Sequence, residues 1–239
     1  MTDRKWLIRT ILISAVVGMA VYVHGRTDAV VKERFHKLWY EDPDTVWRNQ
    51  WLGVPTQQNP NDAWIIQEII SEVKPDYIVE AGTFHGGSAV LWASILRELN
   101  PKGNVITIDI EDKTAETRKL DIAQKLITFV IGSSTDPKIV SEITERVKGK
   151  KAIVILDSNH TKDHVLKEME NYWGLVNVGS YLIVQDSDIN GHPVFKHHGP
   201  GPMEAIDAFL PSHPNFQIDA ERERLIFTTN PRGYLKRIQ

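Results

Sequence analysis

Short apolar runs alternate with amphipathic stretches over most of the chain. Five runs rich in Val and Ile occupy residues 77–82, 104–110, 126–132, 151–158 and 180–187. Each run is too short for a helix and is almost continuously apolar, which is typical of strands buried on both faces of a parallel sheet. The stretches between the runs carry apolar residues at helical spacing. We therefore predict an α/β fold with a Rossmann-like, doubly wound sheet.

Two further segments extend this pattern. Residues 62–75, DAWIIQEIISEVKP, predict a helix that Asp62 caps at its N-terminus and that ends at Pro75. Residues 215–231, NFQIDAERERLIFTTNP, predict two strands joined by a short charged turn. The sheet should therefore be mostly parallel and should close with a C-terminal antiparallel hairpin.

The N-terminal segment is more apolar than the rest. Residues 6–23 are apolar except for Arg9, Thr10 and Ser14, and two basic residues precede them. Counted in full, this run approaches the length of about 20 residues that a spanning helix needs. We predict an apolar helix over residues 1–25 that anchors the protein to a membrane, with a cytoplasmic body. One alternative is a signal peptide. Another is a terminal helix packed on the body or on a second subunit of a homo-oligomer. Without an anchor the protein would be cytoplasmic.

Length and composition limit the other possibilities. The chain has 239 residues, which suits one full domain. We assign residues 26–62 to a cap of helix and loop and residues 63–239 to the domain itself. A net charge of -3 without a basic cluster argues against a nucleic-acid partner. The chain has no cysteine, which excludes disulfides, thiolate catalysis and cysteine-bound zinc.

A glycine-rich loop follows the first predicted strand, in the sequence YIVEAGTFHGGSAV. Its spacing is Glu80-x-Gly82-x-x-x-Gly86-Gly87-Ser88, which differs from the G-x-G-x-x-G of dinucleotide-binding loops. A wider loop can accept a bulkier and less anionic ligand than a pyrophosphate. Glu80 could contact such a ligand directly or through water. A tight strand-to-helix turn that binds nothing is the alternative.

The next two strand ends add polar groups at the same edge of the sheet. Asp109 ends the second strand, where a carboxylate can accept both hydroxyls of a ribose. Gly132 and Ser133 end the third strand, where an adenine would lie. Three strand ends in register favour a nucleoside-containing cofactor over an empty turn.

Acidic residues end the fourth and fifth strands, in ILDSNHTKDH and IVQDSDINGHPV. Asp157 and Asp186 fall at the edge of an open α/β sheet where ligands bind. Two neighbouring carboxylates, with water and a substrate, can form an oxygen-rich Mg²⁺ site that lowers the pKa of a hydroxyl. His160 lies three residues after Asp157 and could accept the hydroxyl proton. Taken singly, Asp157 could equally cap the following helix, Asp186 could fix a turn and His160 could be a surface histidine.

Several segments together resemble one known family. The cephalosporin hydroxylase / rhamnosyl O-methyltransferase family has, in the same order, segments similar to WLGVPTQQNPNDAWIIQEII, PDYIVEAGTFHGGSAVLWASIL, VIGSSTDP, LDSNHTKDHVLKEM, YLIVQDSDINGHPV and GPGPMEAIDAFL. The resemblance covers residues from about 47 to 235 and implies the class I fold of S-adenosylmethionine-dependent methyltransferases. The Asp157-x-x-His160 arrangement is also similar to that of metal-dependent macrolide-sugar O-methyltransferases.

The resemblance implies a role for each candidate residue. It places S-adenosylmethionine at Glu80, Gly82, Gly86, Ser88, Asp109 and Ser133. It places Mg²⁺ at Asp157, Gln185 and Asp186, with Asp157 and His160 as the catalytic pair. One position departs from the family, which usually has Glu-Asp where this chain has Gln185-Asp186. Because a neutral amide oxygen holds a hard cation more weakly than a carboxylate, Mg²⁺ should bind less tightly here.

The function that follows is S-adenosylmethionine-dependent O-methyl transfer to a hydroxyl of a sugar, glycolipid or secondary metabolite. An inactive methyltransferase fold that serves as a scaffold at a membrane is one alternative, which Gln185 favours. A non-haem iron hydroxylase is another, and it would need two histidines and a carboxylate. His160, His164 and His192 could supply them with Asp157, but the glycine loop would then have no role.

Two regions beside the predicted site should select the acceptor. Residues 25–60 contain four aromatic residues that could stack on a sugar, contact a second subunit or pack in the core: Trp39, Tyr40, Trp47 and Trp51. Residues 190–202 form a Gly/Pro/His loop that could cover the site, and its histidines could bind a metal or remain solvated: His192, His197 and His198.

Overall fold

The N-terminal part of the molecule is one long helix. The structure is a computed structural model that describes residues 2–42, 44–45 and 48–239. Helix α1 (Thr2–Glu41) continues past residue 25, where the sequence pattern ended the apolar segment. Within the described residues, no helix combines the length and apolar character needed to cross a membrane. The anchor predicted for residues 6–23 is therefore not supported.

Helices and strands alternate after α1. The remaining helices are α2 (Pro60–Val73), α3 (Gly87–Leu99), α4 (Asp121–Leu126), α5 (Pro137–Val147), α6 (Lys162–Tyr172) and α7 (Pro202–Phe209). The strands are β1 (Gln50–Trp51), β2 (Val54–Pro55), β3 (Tyr77–Ala81), β4 (Asn104–Asp109), β5 (Ile127–Ile131), β6 (Ala152–Leu156), β7 (Tyr181–Val184), β8 (Phe216–Ile218) and β9 (Tyr234–Arg237). All five predicted central strands are present.

The main sheet has the predicted doubly wound form. Its strand order is β5-β4-β3-β6-β7-β9-β8. Strands β3 to β7 are parallel, whereas β9 pairs antiparallel with both β7 and β8. The chain reverses direction across the sheet between β3 and β6, and ligands of open α/β sheets bind at such a switch point.

Both faces of the sheet are covered. Ile78 and Val79 are neighbours on β3, so their side chains point to opposite faces. Ile78 belongs to a buried cluster with side chains of α2, α3 and α4, among them Trp92. Val79 belongs to a second buried cluster with side chains of α5, α6 and α7, among them Met169 and Phe209. This double burial explains why the strands are continuously apolar in sequence.

The C-terminal hairpin is confirmed, but its second strand is not the one predicted. Strand β8 pairs with Tyr234–Arg237 and not with residues 225–229. The strand-like sequence LIFTT instead follows an irregular path, because Thr228 and Thr229 donate hydrogen bonds to the buried carboxylate of Asp62. These contacts with a residue far away in sequence override the local β-propensity.

The same contacts correct the predicted cap of α2. Asp62 does not cap this helix: its side chain is 1% exposed and also accepts a hydrogen bond from Tyr234 at 2.7 Å. Asn59 is the N-cap, since its side chain accepts a hydrogen bond from the backbone N–H of Asn61. Pro60 occupies the first turn, where no amide hydrogen is needed.

Candidate active site

The carboxyl ends of the parallel strands open into a cavity of about 620 Å³. This volume suits a small-molecule ligand. The predicted residues on its wall are Gly82, Ser88, Asp109, Ser133, Asp157, His160, Gln185 and Asp186. The ends of the parallel strands thus bring the predicted cofactor-binding residues and the predicted metal-binding residues into one cavity. Glu80 and Gly86 lie outside the wall.

The glycine loop passes very close to the end of β6. Gly82 has a φ of 101°, and a Cβ atom added there would lie 1.8 Å from the backbone oxygen of Asp157. At Gly87, a Cβ atom would lie 2.0 Å from Thr56 Oγ1 and 2.2 Å from the backbone oxygen of Pro55. Glycine is therefore required at both positions by close backbone approach. The approach at Gly82 joins the predicted cofactor half of the site directly to the acidic half.

Glu80 lies behind the glycine loop and not on the cavity wall. Its carboxylate accepts hydrogen bonds from Trp92 Nε1 at 2.9 Å and from Thr107 Oγ1 at 2.6 Å. Burial raises the pKa of Glu80 to about 7, although these hydrogen bonds oppose the rise. Glu80 thus connects β3, α3 and β4 beneath the loop, which is a supporting position.

Asp109 fixes the conformation of the glycine loop. Its Oδ2 accepts hydrogen bonds from the backbone N–H groups of Thr83 at 3.0 Å and Phe84 at 2.8 Å. Its Oδ1 accepts one from the N–H of Glu111 at 3.1 Å. A carboxylate has about four acceptor positions, so capacity for a ligand hydroxyl remains on Oδ1. Asp109 can therefore hold both the loop and a ligand.

A buried glutamate supports the cavity wall near Ser133. Glu168 Oε1 accepts hydrogen bonds from the hydroxyls of Ser134 and Ser158, the latter at 2.6 Å. His164 Nε2 lies 3.3 Å from the same oxygen. Because each serine hydroxyl donates its one hydrogen bond to Glu168, the lone pairs of both hydroxyl oxygens face other partners. This part of the wall therefore suits a ligand with N–H or O–H donors.

Asp157, His160 and Asp186 form a compact cluster at the ends of β6 and β7. His160 Nε2 lies 3.4 Å from Asp157 Oδ1 and 3.5 Å from Asp186 Oδ2. Neither contact has hydrogen-bond geometry, so this buried nitrogen has no hydrogen-bond partner in the described part of the chain. The three side chains offer ligand atoms that lie within 4.8 Å of one another.

The charges of the cluster shift its pKa values. Burial, reinforced by the charge of Asp186, raises the pKa of Asp157 to about 6. For His160, burial alone would lower the pKa, but Asp186 and Asp157 outweigh it and raise the pKa to about 9. His160 therefore carries a proton at neutral pH unless another cation neutralises the carboxylates.

These residues fit a divalent cation. The carboxylates of Asp157 and Asp186 are suitable oxygen ligands, and the Nε2 atom of His160, which has no hydrogen-bond partner among the described residues, lies close to both. A cation there would cancel the attraction that keeps His160 protonated. The predicted ligand Gln185 lines the cavity beside this cluster: its Oε1 accepts a hydrogen bond from Gln58 Nε2 at 2.8 Å, and its own amide donates to Gln58 Oε1 at 3.0 Å.

The sequence did not indicate the roles that several site residues have in the structure. Gln58 Nε2 also donates to Asp157 Oδ2 at 3.0 Å, so the loop before α2 holds the acidic cluster. Tyr40 donates a hydrogen bond to Asp186, and Trp39 and Phe195 line the cavity beside it. The only available signal for Tyr40 was the aromatic content of residues 25–60.

Of the other predicted candidates, His164 lines the cavity, whereas His192, His197, His198 and Trp51 lie outside its wall. His192 Nε2 lies 2.9 Å from Glu204, and His197 and His198 are exposed. The hydroxylase ligand set is therefore not assembled, since the cluster contains one histidine and two carboxylates. Trp51 Nε1 donates a hydrogen bond to Ser94 Oγ, whereas Trp47 lies outside the described residues.

The strand order, the antiparallel edge and the position of the glycine loop define the class of the protein as the S-adenosylmethionine-dependent methyltransferase fold. A solved structure of CmcI with Mg and SAM has this fold, at a TM-score of 0.60 and 20% identity over 85% of this chain and 84% of that chain. An O-methyltransferase from Bacillus cereus in complex with SAH also has it, at a TM-score of 0.52 and 18% identity over 67% and 73%.

The chain belongs to the Rhamnosyl O-methyltransferase/CmcI family, whose model matches residues 44–238. It is 38% identical to the Rhamnosyl O-methyltransferase of Mycobacterium tuberculosis (strain ATCC 25618 / H37Rv) over 97% of this chain and 98% of that protein. It is 34% identical to the Rhamnosyl O-methyltransferase of Mycobacterium leprae (strain TN) over 95% and 97%. The protein is therefore an S-adenosylmethionine-dependent O-methyltransferase.

Proposed function

We propose that the protein methylates a hydroxyl of a sugar, borne by a glycolipid or a secondary metabolite, with the help of Mg²⁺. The observation that carries the proposal is the junction at Gly82, where the glycine loop contacts the backbone of Asp157. A cofactor held by the loop would therefore lie next to the acidic cluster. The rhamnosyl name of the relatives makes a rhamnoside the first acceptor to test.

The cofactor half of the cavity holds its ligand mainly through the loop. When bound, S-adenosylmethionine supplies an electrophilic methyl group on sulfur. Asp109 keeps the loop closed through Thr83 and Phe84, and its free acceptor capacity suits a ribose hydroxyl. The hydroxyl oxygens of Ser134 and Ser158, which also line the cavity, can accept hydrogen bonds from an amino group of the ligand. We therefore assign cofactor binding to this half.

The acidic half of the cavity would orient and deprotonate the acceptor. A bound Mg²⁺ would lower the pKa of a coordinated hydroxyl. Asp157 and Asp186 would hold the cation, and the Nε2 atom of His160 would accept the proton of the acceptor hydroxyl. Gln58 keeps Asp157 in position through the hydrogen bond at 3.0 Å. Catalysis would then depend mainly on holding the two reactants in line.

Two variants separate these halves experimentally. In Asp109→Ala, binding of S-adenosylmethionine measured by calorimetry should be lost, because both the loop and the ribose lose their acceptor. In His160→Ala, cofactor binding should remain while methyl transfer to a rhamnoside falls by about a hundredfold or more.

Glu111→Ala serves as the control for the cofactor variant. Glu111 follows Asp109 closely and its side chain pairs with Lys113, outside the cavity wall. Wild-type turnover in His160→Ala would show that His160 is not the base. If Asp109→Ala binds S-adenosylmethionine with wild-type affinity, the assignment of cofactor binding to this half of the cavity is wrong.

A further inference from the structure

Helix α1 reaches the acidic cluster through two side chains that are one helical turn apart. His36 Nδ1 lies 3.0 Å from Asp188 Oδ2, and the hydroxyl of Tyr40 donates a hydrogen bond to Asp186 Oδ1. Residues four positions apart share one face of a helix. The end of α1 is therefore attached at two points to the loop that follows β7.

Aromatic packing secures this attachment. The ring of Phe227 lies 4.4 Å from His36, and the ring of Phe195 lies 5.4 Å from Tyr40. Asp188 is fully buried and His36 is 9% exposed. Because this buried contact lies one helical turn before Tyr40, it holds the end of α1 that carries Tyr40 against the body of the molecule.

The two oxygens of Asp186 have different surroundings. Oδ1 accepts the hydrogen bond from Tyr40, whereas Oδ2 lies 3.5 Å from His160 Nε2 and faces the cluster. The backbone of Asp186 has a φ of 54°, which is uncommon for a residue other than glycine. Its N–H donates to Asn230 Oδ1 at 2.9 Å. Asp186 is therefore held from both its backbone and its side chain.

We propose that Tyr40 is a positioning residue for the Asp186 carboxylate, and that the C-terminal end of helix α1 thereby completes the cation-binding side of the site. Tyr40 occupies Oδ1, so that Oδ2 remains directed toward Asp157 and His160. Without the hydroxyl the carboxylate could rotate away from the cluster. This inference rests on the proposed function, since it takes Asp186 as a ligand of a divalent cation.

The test is Tyr40→Phe, which removes the hydroxyl and keeps the ring contact with Phe195. Mg²⁺ affinity, measured by calorimetry in the presence of S-adenosylhomocysteine, should fall about tenfold, as for other groups that orient a metal ligand. Affinity for S-adenosylhomocysteine itself should not change, because Tyr40 supports the acidic half only.

His36→Gln should weaken Mg²⁺ binding to a smaller extent than Tyr40→Phe, because it loosens the helix and leaves the hydroxyl of Tyr40.

Tyr181→Phe is the matched control. It removes a tyrosine hydroxyl that donates to Asp219 at 2.6 Å, outside the cavity wall. Mg²⁺ affinity should stay at the wild-type value in this variant, whatever its melting temperature. The proposal is overturned if Tyr40→Phe binds Mg²⁺ as the wild type does, if Tyr181→Phe loses as much affinity, or if the wild type binds S-adenosylhomocysteine but no Mg²⁺. Absence of S-adenosylhomocysteine binding in the wild type would instead refute the proposed function.

Discussion

Glu80 illustrates how a residue can support a site without touching its ligand. The acid is 1% exposed and is surrounded by Trp92, Thr107 and the first turn of α3. Its position near the end of an apolar strand made it a candidate for ligand contact. The sequence showed that an acid stands near the loop, but whether its carboxylate faces the cavity depends on contacts with β4 and α3, which the local pattern does not contain.

The buried position of Glu80 predicts a pH effect on stability. Its pKa rises from 4.5 in the unfolded chain to about 7 in the folded protein. Between these values the folded state keeps a proton that the unfolded state releases, so stability falls as pH rises and the loss is complete above about pH 7. Glu80→Gln cannot titrate and should lack this loss.

Melting temperatures of the ligand-free proteins check this expectation. The melting temperature of Glu80→Gln should rise relative to that of the wild type as pH rises from about 4.5 to about 7. Groups common to both proteins largely cancel in the difference. Glu98→Gln, at an exposed glutamate of α3, is the control and should show no such trend. A constant difference for Glu80→Gln would contradict the burial argument.

At the scale of elements, the glycine loop and the end of β6 act as one unit. The sequence predicted both elements and their common edge, because parallel strands have continuous apolar runs that end in polar residues. It did not predict how closely they approach. That distance depends on the positive φ of Gly82 and on the path of Asp157, which belong to segments about 75 residues apart in sequence.

Gly82→Ala tests this close approach. The new Cβ atom would meet the backbone oxygen of Asp157, so we expect a loss of about 3 kcal/mol in the free energy of unfolding. Gly149→Ala is a matched control, since Gly149 also has a positive φ, at 71°, but open space around it. Its loss should be about 1 kcal/mol, from backbone strain alone. Equal losses in urea denaturation would show that the approach at Gly82 is not constraining.

At the scale of the whole molecule, the end of the N-terminal helix and a C-terminal segment converge on the region of the site. Helix α1 meets Asp186 and Asp188, while residues 228–234 meet Asp62 of α2. These contacts join segments more than 140 residues apart, which explains why single-sequence patterns missed them. The central sheet was predictable because its periodicity is local. The second hairpin strand, the burial of Asp62 and the roles of Tyr40 and Gln58 were not predictable, because they depend on the packing of distant segments.

Transfer of a labelled methyl group tests the central claim most directly. Wild-type protein incubated with methyl-labelled S-adenosylmethionine, Mg²⁺ and a mixture of rhamnosides and glycolipids should yield a product that has gained one methyl group on a sugar oxygen. His160→Ala should bind the cofactor and yield far less product. A wild-type protein that binds S-adenosylmethionine but transfers the label to no hydroxyl in such a mixture, or transfers it to nitrogen, would contradict the account.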